Sequence, residues 1–131
     1  MEKDELIDYW TKSSNQDFGT MQNLFASKDY HWALFLGHLV IEKLLKAYYV
    51  KNIADHPPRT HNLLRLAEKC ALDLSENQKD FLTTVNAFNI RARYDDYKMD
   101  FYKTCTEEFT KKWIKEIEGF RQWIKTEHLK S

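Results

Sequence analysis

Apolar residues recur at helical spacing in five stretches of the chain. Leu6, Trp10, Met21, Leu24 and Phe25 mark one face of a first helix over residues 4–27, with Ser14 and Asp17 interrupting that face as a polar gap. A second pattern follows Asp29, a residue type suited to an N-cap, and runs through Trp32, Phe35, Leu36, Leu39, Val40, Leu44, Ala47, Tyr48 and Val50. This stretch is apolar almost all round, which predicts a helix at the centre of a bundle or in a subunit interface. Its polar residues His31, His38, Glu42 and Lys46 share one face, and Glu42 stands in the favoured order before Lys46 for an i,i+4 ion pair.

Asp55 to Thr60, DHPPRT, holds both prolines and predicts a loop. A third helix is expected from Thr60 or His61, with Leu63, Leu64, Leu66 and Ala67 inward and His61 as a local cap. Ser75-Glu76-Asn77-Gln78 has the form of a capping box and opens a fourth helix with Phe81, Leu82, Val85 and Phe88 on its apolar face. A fifth helix is predicted from Phe109, Trp113, Ile117, Phe120 and Ile124, with Glu107 and Glu108 suiting its start and Lys125 and Lys130 its end. The expectation is an all-α, up-and-down bundle of about five helices, one domain over residues 1–131.

Composition agrees with long helices and few turns, since glycine and proline together supply only three plus two of 131 residues. Twenty basic and twenty acidic side chains cancel, so any site for a polyanion must be local. Cys70 and Cys105 have no paired or metal-type spacing, and both are expected as free thiols in a reducing compartment. His31, His38, His56 and His61 lack the compact setting with cysteine or carboxylate that zinc requires, so neither a metal nor a cofactor is expected. The acidic start MEKDELIDYW is unlike a signal peptide, and no apolar run approaches the ~20 residues of a membrane span. A cytoplasmic protein without membrane contact is expected.

The segment RARYDDYK, Arg91 to Lys98, concentrates hydrogen-bonding capacity where the fourth helix stops. Two arrangements satisfy it. In a structural one, Arg91 and Arg93 pair with Asp95, Asp96 or Glu42 while Tyr94 and Tyr97 fill the bundle edge. In a functional one, the arginines and Lys98 bind phosphate and the tyrosines stack on bases. The aspartates oppose the second arrangement by neutralising the field, unless each arginine keeps donors free.

Three stretches in order, IEKLLKAYYV at 41–50, PPRTHNLLRLA at 57–67 and IRARYDDYK at 90–98, together resemble the HEPN domain, the helical family named for higher eukaryotes and prokaryotes nucleotide-binding. The resemblance covers nearly the whole chain. Asp17 also matches a position where relatives carry an inward Asp, and Tyr30 sits in the usual turn before the second helix. It implies an antiparallel helical bundle that commonly dimerises, encoded in many cases beside a minimal nucleotidyltransferase as a toxin-antitoxin pair. Other relatives act as metal-independent ribonucleases through an Arg, four to six residues, then a His. Here that position is Lys98, counted from Arg91 or Arg93, and no histidine follows until His128. A lysine is ordinarily cationic at neutral pH and serves poorly as a general base, so cleavage by the usual family route is not expected.

The resulting expectation is a homodimeric nucleotide- or RNA-phosphate-binding component with a nucleotidyltransferase partner, using Arg91, Arg93, Lys98, His61 and Tyr94. Asp17, Glu42, Lys46, Asp95 and Asp96 are expected to support them as a polar network. The alternatives are a divergent ribonuclease with His61 as proton carrier, and a non-catalytic helical scaffold in which every donor of Arg93 is committed internally.

Overall fold

Residues 2–129 are described by a computed structural model. Among them lie six α-helices: α1 (Lys3–Ala26), α2 (Tyr30–Asn52), α3 (Leu63–Lys69), α4 (Glu76–Arg93), α5 (Asp95–Thr104) and α6 (Glu107–Trp123). A π-helical turn, Ile124–His128, follows α6, and Lys130 lies outside the described residues. No helix is long and apolar enough to cross a membrane among the described residues.

The nearly all-apolar α2 is the centre of the bundle and touches each of the other five helices. Thirteen of its residues are buried, so the pattern that left it without a clear polar face is explained by neighbours on several sides. Gly37 is where α6 comes closest: a Cβ there would stand 2.5 Å from Ile117 Cδ1 and 3.4 Å from Met21 Sδ. The polar gap in α1 is satisfied across the same interface. Ser14 is fully buried and its hydroxyl donates to the Val40 carbonyl at 2.8 Å.

Aromatic side chains fasten the other helices. Phe88 of α4 stacks on Phe101 of α5 at 5.4 Å and meets Trp113 of α6 edge-on at 5.6 Å, while Phe81 stacks on Phe120 at 5.1 Å. Together with Met21, Leu34, Leu44 and Leu66 they form one core. The Ser75 capping box is present, with Ser75 Oγ accepting from Gln78 N and Gln78 Oε1 from Ser75 N.

The all-α bundle forms as expected, with two differences in detail. The bundle has six α-helices where about five were expected, because residues 95–104 form α5. Tyr94, with φ −87° and ψ 130°, breaks the ladder for one residue, and Asp95 and Asp96 in the next first turn complement the new helix dipole. Phe101 is the one buried residue of α5, too few to produce a readable periodicity. The second correction concerns α3, which begins at Leu63 and is capped by Asn62, whose Oδ1 accepts from Arg65 N at 3.0 Å. His61 is not the cap, and Leu64 is only half-buried.

Candidate functional site along α2

His31, Phe35, His38, Glu42 and Lys46 succeed one another by four, three, four and four residues and so form one ridge along α2. Each rung meets a different side chain from elsewhere in the bundle. The ridge runs from His31 to Lys46, ~22 Å of helix.

At the lower rungs the chemistry is that of a buried carboxylate. Glu42 is 4% exposed, and its two oxygens are divided between two donors: Oε2 accepts from Lys46 Nζ at 3.1 Å and Oε1 from His61 Nδ1 at 3.0 Å. An ionised carboxylate only accepts, so Nδ1 of His61 carries a proton and donates. The His61 side chain is 72% exposed. Lys46 is also buried and its ammonium lies 5.1 Å from the centre of the Trp10 ring, so its charge is met on one side by Glu42 and on the other by a π face.

His38, 1% exposed, fixes the loop that carries His61: its Nε2 lies 2.9 Å from the His61 carbonyl oxygen and donates to it. Its Nδ1 is therefore bare, and at 3.9 Å from Glu42 Oε1 it faces a second acceptor and has no hydrogen-bond partner among the described residues. Burial pushes the His38 pKa below the ordinary histidine value, with the His61 carbonyl and the Glu42 charge opposing that shift. Asn86 of α4 closes the same corner by accepting from Leu63 N at 3.0 Å.

Arg93 stands at the next rung. Its Nε donates to the Asn89 carbonyl at 3.0 Å, and the guanidinium lies 5.4 Å from the Phe35 ring centre and 5.6 Å from that of Tyr94. Among the described residues no carboxylate pairs with Arg93, which is exposed. Lys98 likewise has no counter-ion there, and its ammonium lies 5.0 Å from the Trp32 ring centre. Arg91 differs: its Nη2 is 3.4 Å from Asp100 Oδ2 and 3.4 Å from Thr104 Oγ1, and its guanidinium covers the Phe101 ring at 4.6 Å.

These distances correct the structural arrangement expected for RARYDDYK. Neither arginine pairs with Asp95, Asp96 or Glu42. Tyr94 and Tyr97 do not fill the bundle edge but are 55% and 52% exposed. The expected convergence of Asp17, Glu42 and Arg93 also does not form. Asp17 instead accepts from Lys43 Nζ at 2.6 Å, on a neighbouring face of α2. Glu42 keeps Lys46 and His61, while Arg93 lies with Phe35, seven residues or ~10 Å of helix from Glu42. Sequence reasoning missed the Asp17–Lys43 pair and the role of Asn86, which no local spacing signals.

At the top of the ridge, His31 is 8% exposed and its Nδ1 is buried without a partner. Its ring meets that of Tyr102 edge-on at 5.4 Å. Burial first, then the charge of Lys98, lower the His31 pKa from its ordinary value.

The family model of the HEPN domain matches residues 7–128 of the chain. No curated protein and no solved structure matches it.

Proposed function

The chain belongs to the HEPN-domain family, and on that premise we propose that it recognises the phosphate of a nucleotide or RNA along the α2 ridge. The observation that carries this reading is the state of Arg93. Its Nε is tethered to the Asn89 carbonyl, its plane is backed by Phe35, and it has no carboxylate partner among the described residues. A guanidinium held by one edge keeps its other donors in a fixed fork suited to phosphate oxygens. Lys98, without a counter-ion, adds a second charge, and Tyr94 beside Arg93 offers an exposed ring for stacking. Arg91, already engaged with Asp100 and Thr104, contributes background charge rather than a free fork.

Family membership also supports the wider setting: a homodimer acting in the cytoplasm as one half of a toxin-antitoxin type pair with a nucleotidyltransferase partner. The test of the phosphate reading is equilibrium binding of a labelled short single-stranded RNA, and of ATP and GTP, to the wild type, Arg93→Ala and Lys98→Ala. Binding that is lost in Arg93→Ala while its helical circular dichroism is unchanged supports the reading. Unchanged binding in that variant removes it.

A second reading, a divergent ribonuclease, has one observation in its favour, the Glu42–His61 pair. A carboxylate that fixes Nδ1–H leaves Nε2 of an exposed imidazole able to take the proton of a 2′-hydroxyl as that oxygen attacks phosphorus. The 5′-oxygen then leaves and a cyclic phosphate forms. The α2 residues that Arg93 and His61 contact, Phe35 and Glu42, stand ~10 Å apart along the helix, and this separation is why binding is the preferred reading. Cleavage that stops in His61→Ala and in Glu42→Gln would reverse that preference.

A further inference from the structure

Beside the Arg93 rung lies a cavity of about 250 Å³ lined by His31, Asp95, Lys98, Met99 and Tyr102. It is smaller than the ~300 Å³ at which sites for drug-sized ligands begin, and suits a single planar ring system. Asp95, Lys98, Met99 and Tyr102 are the i, i+3, i+4 and i+7 positions of α5, so one face of this ten-residue helix is turned toward the start of α2. That face meets α2 through the edge contact of Tyr102 with His31 and through Lys98 over Trp32. Met99 is 65% and Tyr102 61% exposed, whereas the core contact of α5 is made by Phe101 alone.

The two charged groups at the cavity lack an ionic partner among the described residues, although Lys98 lies over the Trp32 ring. Asp95 has no hydrogen-bond or ionic partner and Lys98 no counter-ion among the described residues, and His31, nine-tenths buried, has a ring nitrogen with no partner. A carboxylate and an ammonium one helical turn apart would ordinarily be read as a surface ion pair, yet these two do not pair. Around them stand a His ring, a Tyr ring and a Met side chain, which provide apolar walls for a flat aromatic guest.

We propose that this cavity receives the base of the bound nucleotide and selects guanine. An ionised Asp95 accepts only, and guanine alone among the four common bases presents two adjacent donors, N1–H and the 2-amino group, that one carboxylate takes together. Adenine and cytosine offer an exocyclic amine next to a ring nitrogen acceptor, which the carboxylate repels. Uracil offers one N–H between two carbonyls. Lys98, a donor only, completes the match at guanine O6. Tyr102, 61% exposed, supplies the stacking surface that single-strand readers use, while the buried His31 ring closes the inner wall.

The proposal rests on the phosphate reading, because Arg93 is what delivers the nucleotide. Phe35, which backs Arg93, is one turn of α2 from His31, ~6 Å along the helix. That offset is short enough for one nucleoside 5′-phosphate to place its base in the cavity and its phosphate at Arg93.

The experiment is titration of the full chain with GMP, IMP, AMP, CMP and UMP by calorimetry, repeated with Asp95→Asn, Arg93→Ala and, as a charge-matched control outside the cavity, Asp100→Asn. GMP should bind about tenfold or more tighter than AMP, CMP and UMP, with IMP, which lacks the 2-amino group, in between. Asp95→Asn should erase the preference, Asp100→Asn should keep it, and Arg93→Ala should weaken all five alike. Equal affinity for all five, lost in Arg93→Ala, would overturn the base cavity and leave phosphate recognition standing. A guanine preference that survives Asp95→Asn would also overturn it, since the selection would then lie elsewhere. Absence of binding to every nucleotide would overturn the base cavity, and absence of binding to single-stranded RNA as well would overturn phosphate recognition.

Discussion

His61 Nδ1 donates to Glu42 Oε1 at 3.0 Å, joining an exposed imidazole to a carboxylate buried inside the bundle. The sequence of α2 makes this possible: Glu42 sits on the polar ridge of an otherwise apolar helix, and the loop after the two prolines returns His61 to it. The two ends of the bond should respond differently to mutation. Glu42→Ala leaves Lys46 buried beside Trp10 with no counter-charge and should cost ~3–5 kcal/mol of stability. His61→Ala removes only the exposed partner and should cost less than ~1 kcal/mol. Urea unfolding of the two variants measures the contrast, and equal losses would contradict the assignment of Glu42 as the buried hub.

His38 makes stability depend on pH. Its folded pKa lies below the ordinary value near ~6.5 because burial disfavours the imidazolium. Below that value the unfolded chain takes up a proton that the native state refuses, so stability is full above pH ~6.5 and falls as the pH drops toward the folded pKa. His31, shifted in the same direction, adds to the fall. The urea midpoint should decrease between pH 7 and 5, and His38→Gln should lower it at pH 7 while flattening its pH dependence. An equally steep slope in that variant would remove His38 from the account.

Both buried thiols should be silent in the folded protein. Burial raises the pKa of Cys70 and of Cys105 to about 12, the latter despite the nearby charge of Arg91. At pH 8 a disulfide reagent should label neither in buffer and both in denaturant, because the thiolate is the reactive form. Rapid labelling in buffer would show that one of the two sites opens.

Helices α1 and α3 end in the same way without glycine. Lys28 N–H bonds the Phe25 carbonyl and Asp29 N–H the Leu24 carbonyl, while Ala71 N–H bonds that of Glu68 and Leu72 N–H that of Ala67. These are Schellman turns, and their left-handed residues are Lys28 at φ 68° and Ala71 at φ 57°. A side chain in that region costs ~1–2 kcal/mol. Ala71→Gly should therefore raise stability, by up to ~1 kcal/mol once the greater freedom of glycine in the unfolded chain is counted. A lower melting temperature would contradict this.

The same residues show where the sequence is readable and where it is not. Repeated apolar spacing identified α1, α2, α4 and α6, because each buries several side chains on a continuous face. α5 was hidden since it buries Phe101 alone, and its charged first turn reads as a loop. The helix ends at Lys28 and Ala71 lacked the glycine that usually signals them. At the site, the i,i+4 relation of Glu42 to Lys46 is a local signal and forms as the spacing implies. The link from Glu42 to His61 and that from Asp17 to Lys43 cross the bundle, and only the packing of α2 against its neighbours sets them. For Arg93, the nearby aspartates suggested neutralisation, but among the described residues neither pairs with it, and its Nε donates to the Asn89 carbonyl instead.

Arg93 as a phosphate fork is tested most directly by the salt dependence of single-stranded RNA binding by the wild type and by Arg93→Ala. Each phosphate contact contributes ~0.7 to the slope of log affinity against log salt on a single strand. Phosphate recognition predicts a weaker complex and a slope reduced by about that one contact in Arg93→Ala, with the unfolding midpoint little changed. An unaltered slope, with a variant whose main defect is lower stability, would contradict it and make the RARYDDYK segment an internal clasp.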